Sequence, residues 1–185
     1  MLIPTVETSA GYAGVASALE IFHQIREDLG SGYDARLIAT DTPISNQYVP
    51  PDGFELSLEC CKDYEGKNVV LDGTKRPIFP IDIRDSDVFV STAWWTADSA
   101  VNIMEKQDEL YGEKSRKFIY LIQDYECGFN AWSTKYALTD ATYKHPEKTI
   151  PIFNTQMLCD YFVSNDYYES GHVLNPPINL SLIHI

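Results

Sequence analysis

The residues of this chain best suited to chemistry are two carboxylates that directly follow an apolar run. Asp124 and Glu126 lie two positions apart, so their side chains point to opposite sides if this segment is extended. One carboxylate could then face a ligand and orient or deprotonate a hydroxyl group, while the other braces the loop. Helix capping or loop bracing explains either residue equally well. We predict Asp124 and Glu126 as the catalytic candidates.

Aromatic and polar side chains follow several other apolar runs. Indoles and phenols stack on the faces of sugars, and carboxamides hydrogen-bond several hydroxyls at once, so this set suits a carbohydrate better than a phosphate. The alternative is that the tryptophans only cover a sheet, but three of them at successive strand ends favour a binding cleft. The predicted ligand-binding residues are Gly11, Tyr12, Gly14, Thr92, Trp94, Trp95, Gln123, Tyr125, Trp132 and Asn154.

Other chemistries are less well supported. Gly11 and Gly14 between a strand and a helix resemble the start of a dinucleotide fold, but the full glycine pattern and a Walker lysine are missing. Ser91 lacks the flanking glycines of a hydrolase nucleophile. The four cysteines form no CxxC pair and no zinc-ligand spacing with histidines, so we expect reduced thiols, no metal and no cofactor.

The composition limits the partners. The formal net charge of −13 repels nucleic acid and anionic membranes, and it disfavours a polyphosphate ligand. No apolar stretch approaches the roughly 20 residues that span a bilayer, so we expect no transmembrane segment and a cytoplasmic protein. A homodimer is compatible with this sequence.

The elements that must position these residues alternate between strand and helix. Strand, loop, helix and strand in succession predict a parallel sheet with right-handed crossovers, and four or five such units predict a doubly wound, Rossmann-like α/β fold. Ligands of such sheets bind beyond the carboxyl ends of the strands. The segment 41–82 is the least regular and suggests an insertion or small strands. Predicted strands are 2–6, 34–40, 68–71, 87–92, 117–122 and 149–153, and predicted helices are 15–29, 132–142, 155–163 and one starting near Thr96 or Asp98.

One segment carries a family resemblance. Residues Phe118 to Leu138, in which a strand ends in Gln-Asp-Tyr-Glu and a turn with Phe and Trp leads into a helix, resemble the segment that marks WsaF-type rhamnosyltransferases. Cys127-Gly128 departs from the bulkier proline and aromatic pair expected there. The similarity runs to about Asn179. Supporting matches are Pro4 to Leu19, Ala39-Thr-Asp41, Thr92-Ala-Trp94 and Ile152-Phe-Asn-Thr155.

The resemblance implies the N-terminal half of a GT-B glycosyltransferase, a two-domain architecture that needs no bound metal. It implies a glycan acceptor on this domain and a deoxythymidine diphosphate-linked L-rhamnose donor on a C-terminal domain. The products of such enzymes are surface polysaccharides. The implied localisation is therefore cytoplasmic, at or near the inner face of the membrane.

The expected organisation follows from this resemblance. We predict residues 1–179 as one acceptor-side domain and a donor domain outside this chain, without which the chain is inactive. Leu180 to Ile185 match one reading frame of a transposase adapter used in sequencing libraries, so we expect 180–185 to be a non-native tail. The alternative is a genuine apolar strand. The alternatives are a non-catalytic carbohydrate-binding module and a nucleotide-binding domain with phosphate at Gly11 to Gly14.

Overall fold

The described residues form one eight-stranded sheet with helices on both faces. The computed structural model describes residues 1–7, 13–57, 64, 66–75, 82–114 and 116–174. The strands are β1 Leu2–Ile3, β2 Arg36–Ala39, β3 Glu55–Ser57, β4 Val69–Asp72, β5 Val90–Ser91, β6 Phe118–Ile122, β7 Thr149–Phe153 and β8 His172–Val173. The longer helices are α1 Ala13–Leu29, α2 Trp94–Tyr111, α3 Thr134–Thr142 and α4 Gln156–Ser164.

The order of the strands places the start of the chain at the centre of the sheet. The spatial order is β3-β4-β2-β1-β5-β6-β7-β8, and every pair of neighbouring strands is parallel. From β1 the chain moves outward through β2 to the edge strand β3 and comes back one position to β4. It then returns to β5, beside β1, and moves outward the other way through β6, β7 and β8. The strand order therefore reverses between β1 and β5, and the predicted Rossmann-like parallel sheet is confirmed.

Both faces of the sheet are buried, because successive strand side chains alternate between two cores. In β6, Tyr120 and Ile122 pack in the core that contains Phe162 of α4 and residues of α2. Leu121, on the opposite face, packs with Phe22 of α1. This arrangement of helix, sheet and helix leaves the carboxyl edge of the strands as the surface where side chains from many segments meet.

The sequence predicted the long elements well and the short ones poorly. The strand at 149–153 is confirmed residue for residue, and the strand predicted at 2–6 is restricted to Leu2–Ile3. Two edge strands, β3 and β8, were not predicted. Each has only two or three residues, and their strand conformation comes from pairing with β4 and β7 and not from a pattern of their own.

Helix α2 begins at Trp94, earlier than the predicted start near Thr96 or Asp98. The hydroxyl oxygen of Thr96 accepts hydrogen bonds from the backbone N–H groups of Thr92 at 3.1 Å and Ala93 at 3.0 Å. Thr96 belongs to the first turn of α2, and its hydroxyl holds the backbone of the two residues that precede the helix. As a result Trp94 and Trp95 are helical residues at the end of β5 and not part of a loop.

Gly73 is expected to tolerate no side chain, because a Cβ atom there would lie 2.7 Å from the carbonyl oxygen of Ala39 and 2.7 Å from Cγ2 of Ile38. Gly73→Ala should therefore lower the free energy of unfolding by about 1–3 kcal/mol through overpacking. Urea unfolding of the wild type and the variant would measure this difference in the free energy of unfolding. The matched control is Gly32→Ala, where no atom lies within 4 Å, and equal stability of the two variants would contradict the expectation.

Candidate functional site at the carboxyl edge of the sheet

The reversal of strand order between β1 and β5 marks the place where a doubly wound sheet binds its ligands. The segment Thr92–Trp95 leaves β5 at this place, and Pro4–Glu7 leaves β1 beside it. Gly11 and Tyr12, two of the predicted binding residues, lie outside the described residues. The remaining predicted residues all lie in described segments.

Glu126 is held against the start of α2. Its Oε1 accepts a hydrogen bond of 3.1 Å from the backbone N–H of Trp94. Burial raises the pKa of the Glu126 carboxyl from 4.5 to about 7, and the charge of Asp124 adds to the rise, while the Trp94 N–H and Lys135 oppose it. A carboxyl that titrates near neutral pH can accept a proton from a reacting hydroxyl and release it again.

Asp124 is held differently from Glu126. Its exposed side chain accepts a hydrogen bond of 2.8 Å from the backbone N–H of Tyr125, the next residue. The short 3-10 helix Glu126–Phe129 then turns the chain away from β6. Asp124 therefore braces the end of the strand, and Glu126 is the carboxylate that is partly removed from water.

Tyr143, which was not predicted as a site residue, supports the backbone under both carboxylates. Its hydroxyl accepts from the backbone N–H of Glu126 at 3.3 Å and donates to the carbonyl oxygen of Asp124 at 3.5 Å. The side chain of Tyr143 is fully buried between Tyr120 and Phe162. No local pattern predicts this contact, because Tyr143 belongs to the end of α3.

Tyr125 lies in a network of phenols. Its hydroxyl is 3.0 Å from that of Tyr136 and 3.3 Å from that of Tyr167, and Tyr167 donates to Asp140 at 2.6 Å. Its ring lies 5.0 Å from the ring of Tyr161. The predicted binding residue Tyr125 therefore uses its hydroxyl within the protein and fixes the loop that carries Glu126.

Gln123, Asn154 and Gly14 tie neighbouring segments together at the edge. The side chain of Gln123 donates to the carbonyl oxygen of Gly14 at 2.9 Å, and that of Asn154 donates to the carbonyl oxygen of Gln123 at 2.9 Å. A Cβ atom at Gly14 would lie 2.8 Å from Oε1 of Gln123, so the glycine permits this close approach. Thr92 is buried in the turn before α2. These predicted binding residues shape the edge by bonding to the protein itself.

Trp95 is paired with Asp41, the second residue after β2. The indole Nε1 donates a hydrogen bond of 2.6 Å to Oδ2 of Asp41. The ring of Trp94 stands almost perpendicular to that of Trp95, at an angle of 83° and a centroid distance of 5.7 Å. The sequence placed Asp41 at a strand end but did not predict this contact, because the two residues are 54 positions apart.

Trp132 is the most exposed tryptophan, with 87% of its surface accessible. Its ring contacts Tyr136 at a centroid distance of 4.8 Å, and the hydroxyl of Tyr136 meets that of Tyr125. Trp132 is thereby connected to the loop that carries Glu126. An indole held on one side and open on the other is suited to stacking on a sugar ring.

A separate groove of about 950 Å³ lies at the amino-terminal ends of the strands, opposite the carboxyl edge. Its walls are the amino-terminal ends of β6 and β7 and the segment between α4 and β8, including Lys117, Thr149, Tyr168 and His172. It contains none of the predicted site residues. Among the residues that the structure describes, no group of three or more His, Cys, Asp or Glu side chains could hold a metal ion. No helix of the described segments is both long and apolar enough to cross a membrane.

The fold and the edge residues define a Rossmann-like α/β domain with aromatic and acidic side chains at its topological switch point, where a doubly wound sheet has its ligand crevice. The model of the WsaF N-terminal domain family matches residues 1–156, which is most of the chain. The chain therefore belongs to the WsaF N-terminal domain family and is a glycosyltransferase-related domain. No curated protein is significantly similar to it.

Proposed function

We propose that this protein is the acceptor-binding domain of a rhamnosyltransferase with the GT-B architecture. The acceptor is a growing glycan, and the donor is deoxythymidine diphosphate-linked L-rhamnose held by a C-terminal domain. The reaction extends a surface polysaccharide at the cytoplasmic side of the membrane. Membership of the WsaF N-terminal domain family supports the class of reaction. The arrangement at the carboxyl edge supports the division of labour.

The observation that carries the proposal is the position of the half-buried Glu126 carboxyl at the start of α2, at the switch point of the sheet. This carboxyl has a pKa of about 7 and contacts the first residue of α2, next to Trp95. A sugar stacked on an indole would bring its hydroxyls to this carboxylate. Glu126 would orient the attacking hydroxyl and take up its proton as that oxygen bonds to C1 of the rhamnose. The bond from C1 to the diphosphate breaks in the same reaction, and deoxythymidine diphosphate leaves with the electron pair.

The charge of the domain supports placing the donor elsewhere. The chain carries a formal net charge of −13, and the carboxylates of Asp41 and Glu126 contact the two tryptophans of the crevice. A nucleoside diphosphate would be repelled by these groups, whereas a neutral glycan would find several hydrogen-bond acceptors.

Trp132→Ala is expected to weaken the binding of a rhamnose trisaccharide to this chain about tenfold, because a stacked aromatic ring contributes on the order of 1 kcal/mol. Saturation-transfer NMR and titration of the wild type should show trisaccharide binding and no signal with deoxythymidine diphosphate. The matched control is Tyr33→Ala, which removes an exposed aromatic residue that precedes β2 at the opposite edge of the sheet.

Two results would contradict the proposal. Clear binding of deoxythymidine diphosphate would overturn the division of labour between the two domains. Equal loss of trisaccharide binding in the Trp132 and Tyr33 variants would show that the effect does not come from the carboxyl edge.

A further inference from the structure

Asp41 and Trp95 form a preorganised pair at the carboxyl edge of the sheet. The hydrogen bond of 2.6 Å between Oδ2 of Asp41 and Nε1 of Trp95 joins the end of β2 to the first turn of α2. The indole keeps 36% of its surface exposed. A ring that is both fixed in orientation and open to solvent is poised to contact a ligand, because little conformational freedom remains to be lost on binding.

Both partners are anchored by their own backbones. The N–H of Asp41 donates to the carbonyl oxygen of Pro4 at 3.0 Å, which fixes it beside the end of β1. The carbonyl oxygen of Trp95 accepts from the hydroxyl of Ser99 at 2.8 Å, in addition to its place in α2. The pair is therefore built from rigid elements on both sides of the switch point.

One oxygen of Asp41 is left for a ligand. Oδ2 accepts from the indole, and in the described part of the chain Oδ1 has no hydrogen-bond partner. A carboxylate bonded to the edge of an indole offers a sugar two contacts at once. The ring stacks on the indole, and a hydroxyl donates to the carboxylate.

We propose that Asp41 and Trp95 form a subsite for one neutral pyranose ring of the acceptor, an inference that rests on the function proposed above. The ring stacks on Trp95, and one of its hydroxyls donates to Oδ1 of Asp41. Asp41 thus binds the sugar directly and also positions the indole. The subsite selects neutral sugars, because a uronic acid would bring its own carboxylate toward Asp41 and toward Glu126, which contacts the neighbouring Trp94.

The test is titration of the full chain with two probes of equal length, a neutral rhamnose trisaccharide and trigalacturonate. The wild type should bind the first and reject the second. Trp95→Ala and Asp41→Ala should each weaken trisaccharide binding about tenfold, since each removes a direct contact. Asp41→Asn keeps an oxygen for the indole but loses the charge, so it should recover most of the affinity and weaken the rejection of trigalacturonate.

Asp52→Ala, which removes another exposed aspartate, is the matched control and should bind like the wild type. A purely structural role for Asp41 would lower the thermal midpoint without changing the discrimination between the two probes. If Trp132→Ala weakens trisaccharide binding while the Asp41 and Trp95 variants bind normally, the subsite is wrong and the proposed function stands. If the wild type binds no trisaccharide, both are wrong.

Discussion

Glu126→Gln is expected to raise the free energy of unfolding by about 2–3 kcal/mol near pH 8 and to leave it unchanged near pH 4. Burial raises the pKa of this carboxyl in the folded protein from 4.5 to about 7. Below pH 4.5 the carboxyl is protonated in both states, so burial carries no penalty. Between pH 4.5 and about 7 the unfolded chain ionises first, and stability falls as the pH rises. Glutamine stays neutral and still offers an oxygen to the N–H of Trp94.

Urea unfolding of the wild type and the variant across this pH range would measure the difference. Glu20→Gln, an exposed change on α1, is the control and should have little effect at either pH. A Glu126→Gln difference that does not vary with pH would show that the carboxylate is not desolvated as the structure indicates. The expected gain in stability would mark Glu126 as a residue kept for function at a cost in stability.

Tyr143→Ala is expected to lower the free energy of unfolding by about 3–5 kcal/mol, because it leaves a cavity between Tyr120 and Phe162 in the core. Tyr143→Phe keeps the ring and removes only the hydroxyl that bonds the backbones of Asp124 and Glu126. Its cost should be about 1 kcal/mol, the value of a modest hydrogen bond. Thermal or urea unfolding would separate the two effects.

The phenylalanine variant also tests whether Tyr143 positions the loop. Losing the hydroxyl should shift the NMR signal of the Glu126 amide. It should also weaken trisaccharide binding, although the protein stays folded after a loss of only about 1 kcal/mol in the free energy of unfolding. Tyr111→Phe is a suitable control, because that hydroxyl donates to the backbone of Ile83, away from the crevice. A Tyr143→Phe variant with wild-type amide signals would show that the hydroxyl does not hold the loop.

The sequence predicts the long strands and helices because each of them is determined by residues close together in the chain. The long strands and helices carry continuous apolar runs or a helical period, and the rule for parallel sheets then places Gln123, Asp124 and Asn154 at one edge. The same rule places Trp94 and Trp95 after the carboxyl end of their strand, and the strand order of the structure adds that this strand lies at the switch point. Their grouping follows from topology alone.

The contacts within the edge could not be predicted, because they join residues far apart in sequence. The backbone N–H of Trp94 donates to Glu126, 32 positions later in the sequence. The indole of Trp95 donates to Asp41, 54 positions earlier. Tyr125 looked like a ligand-binding phenol, but its hydroxyl is used by Tyr136 and Tyr167. Packing between distant segments decides which polar side chains face a ligand and which hold the loop. A local sequence pattern does not contain this information.

The narrow pairing between β1 and β5 has a mechanical consequence. These strands share a single residue pair, Leu2 with Ser91, so the sheet consists of two halves with a weak backbone seam between them. The bonds of Gln123 to Gly14 and of Trp95 to Asp41 fasten this seam at one edge. A ligand seated on Asp41 and Trp95 would act as a further clasp across it. If the proposed subsite binds its sugar, occupancy of Asp41 and Trp95 should therefore also raise the resistance of the sheet to local opening.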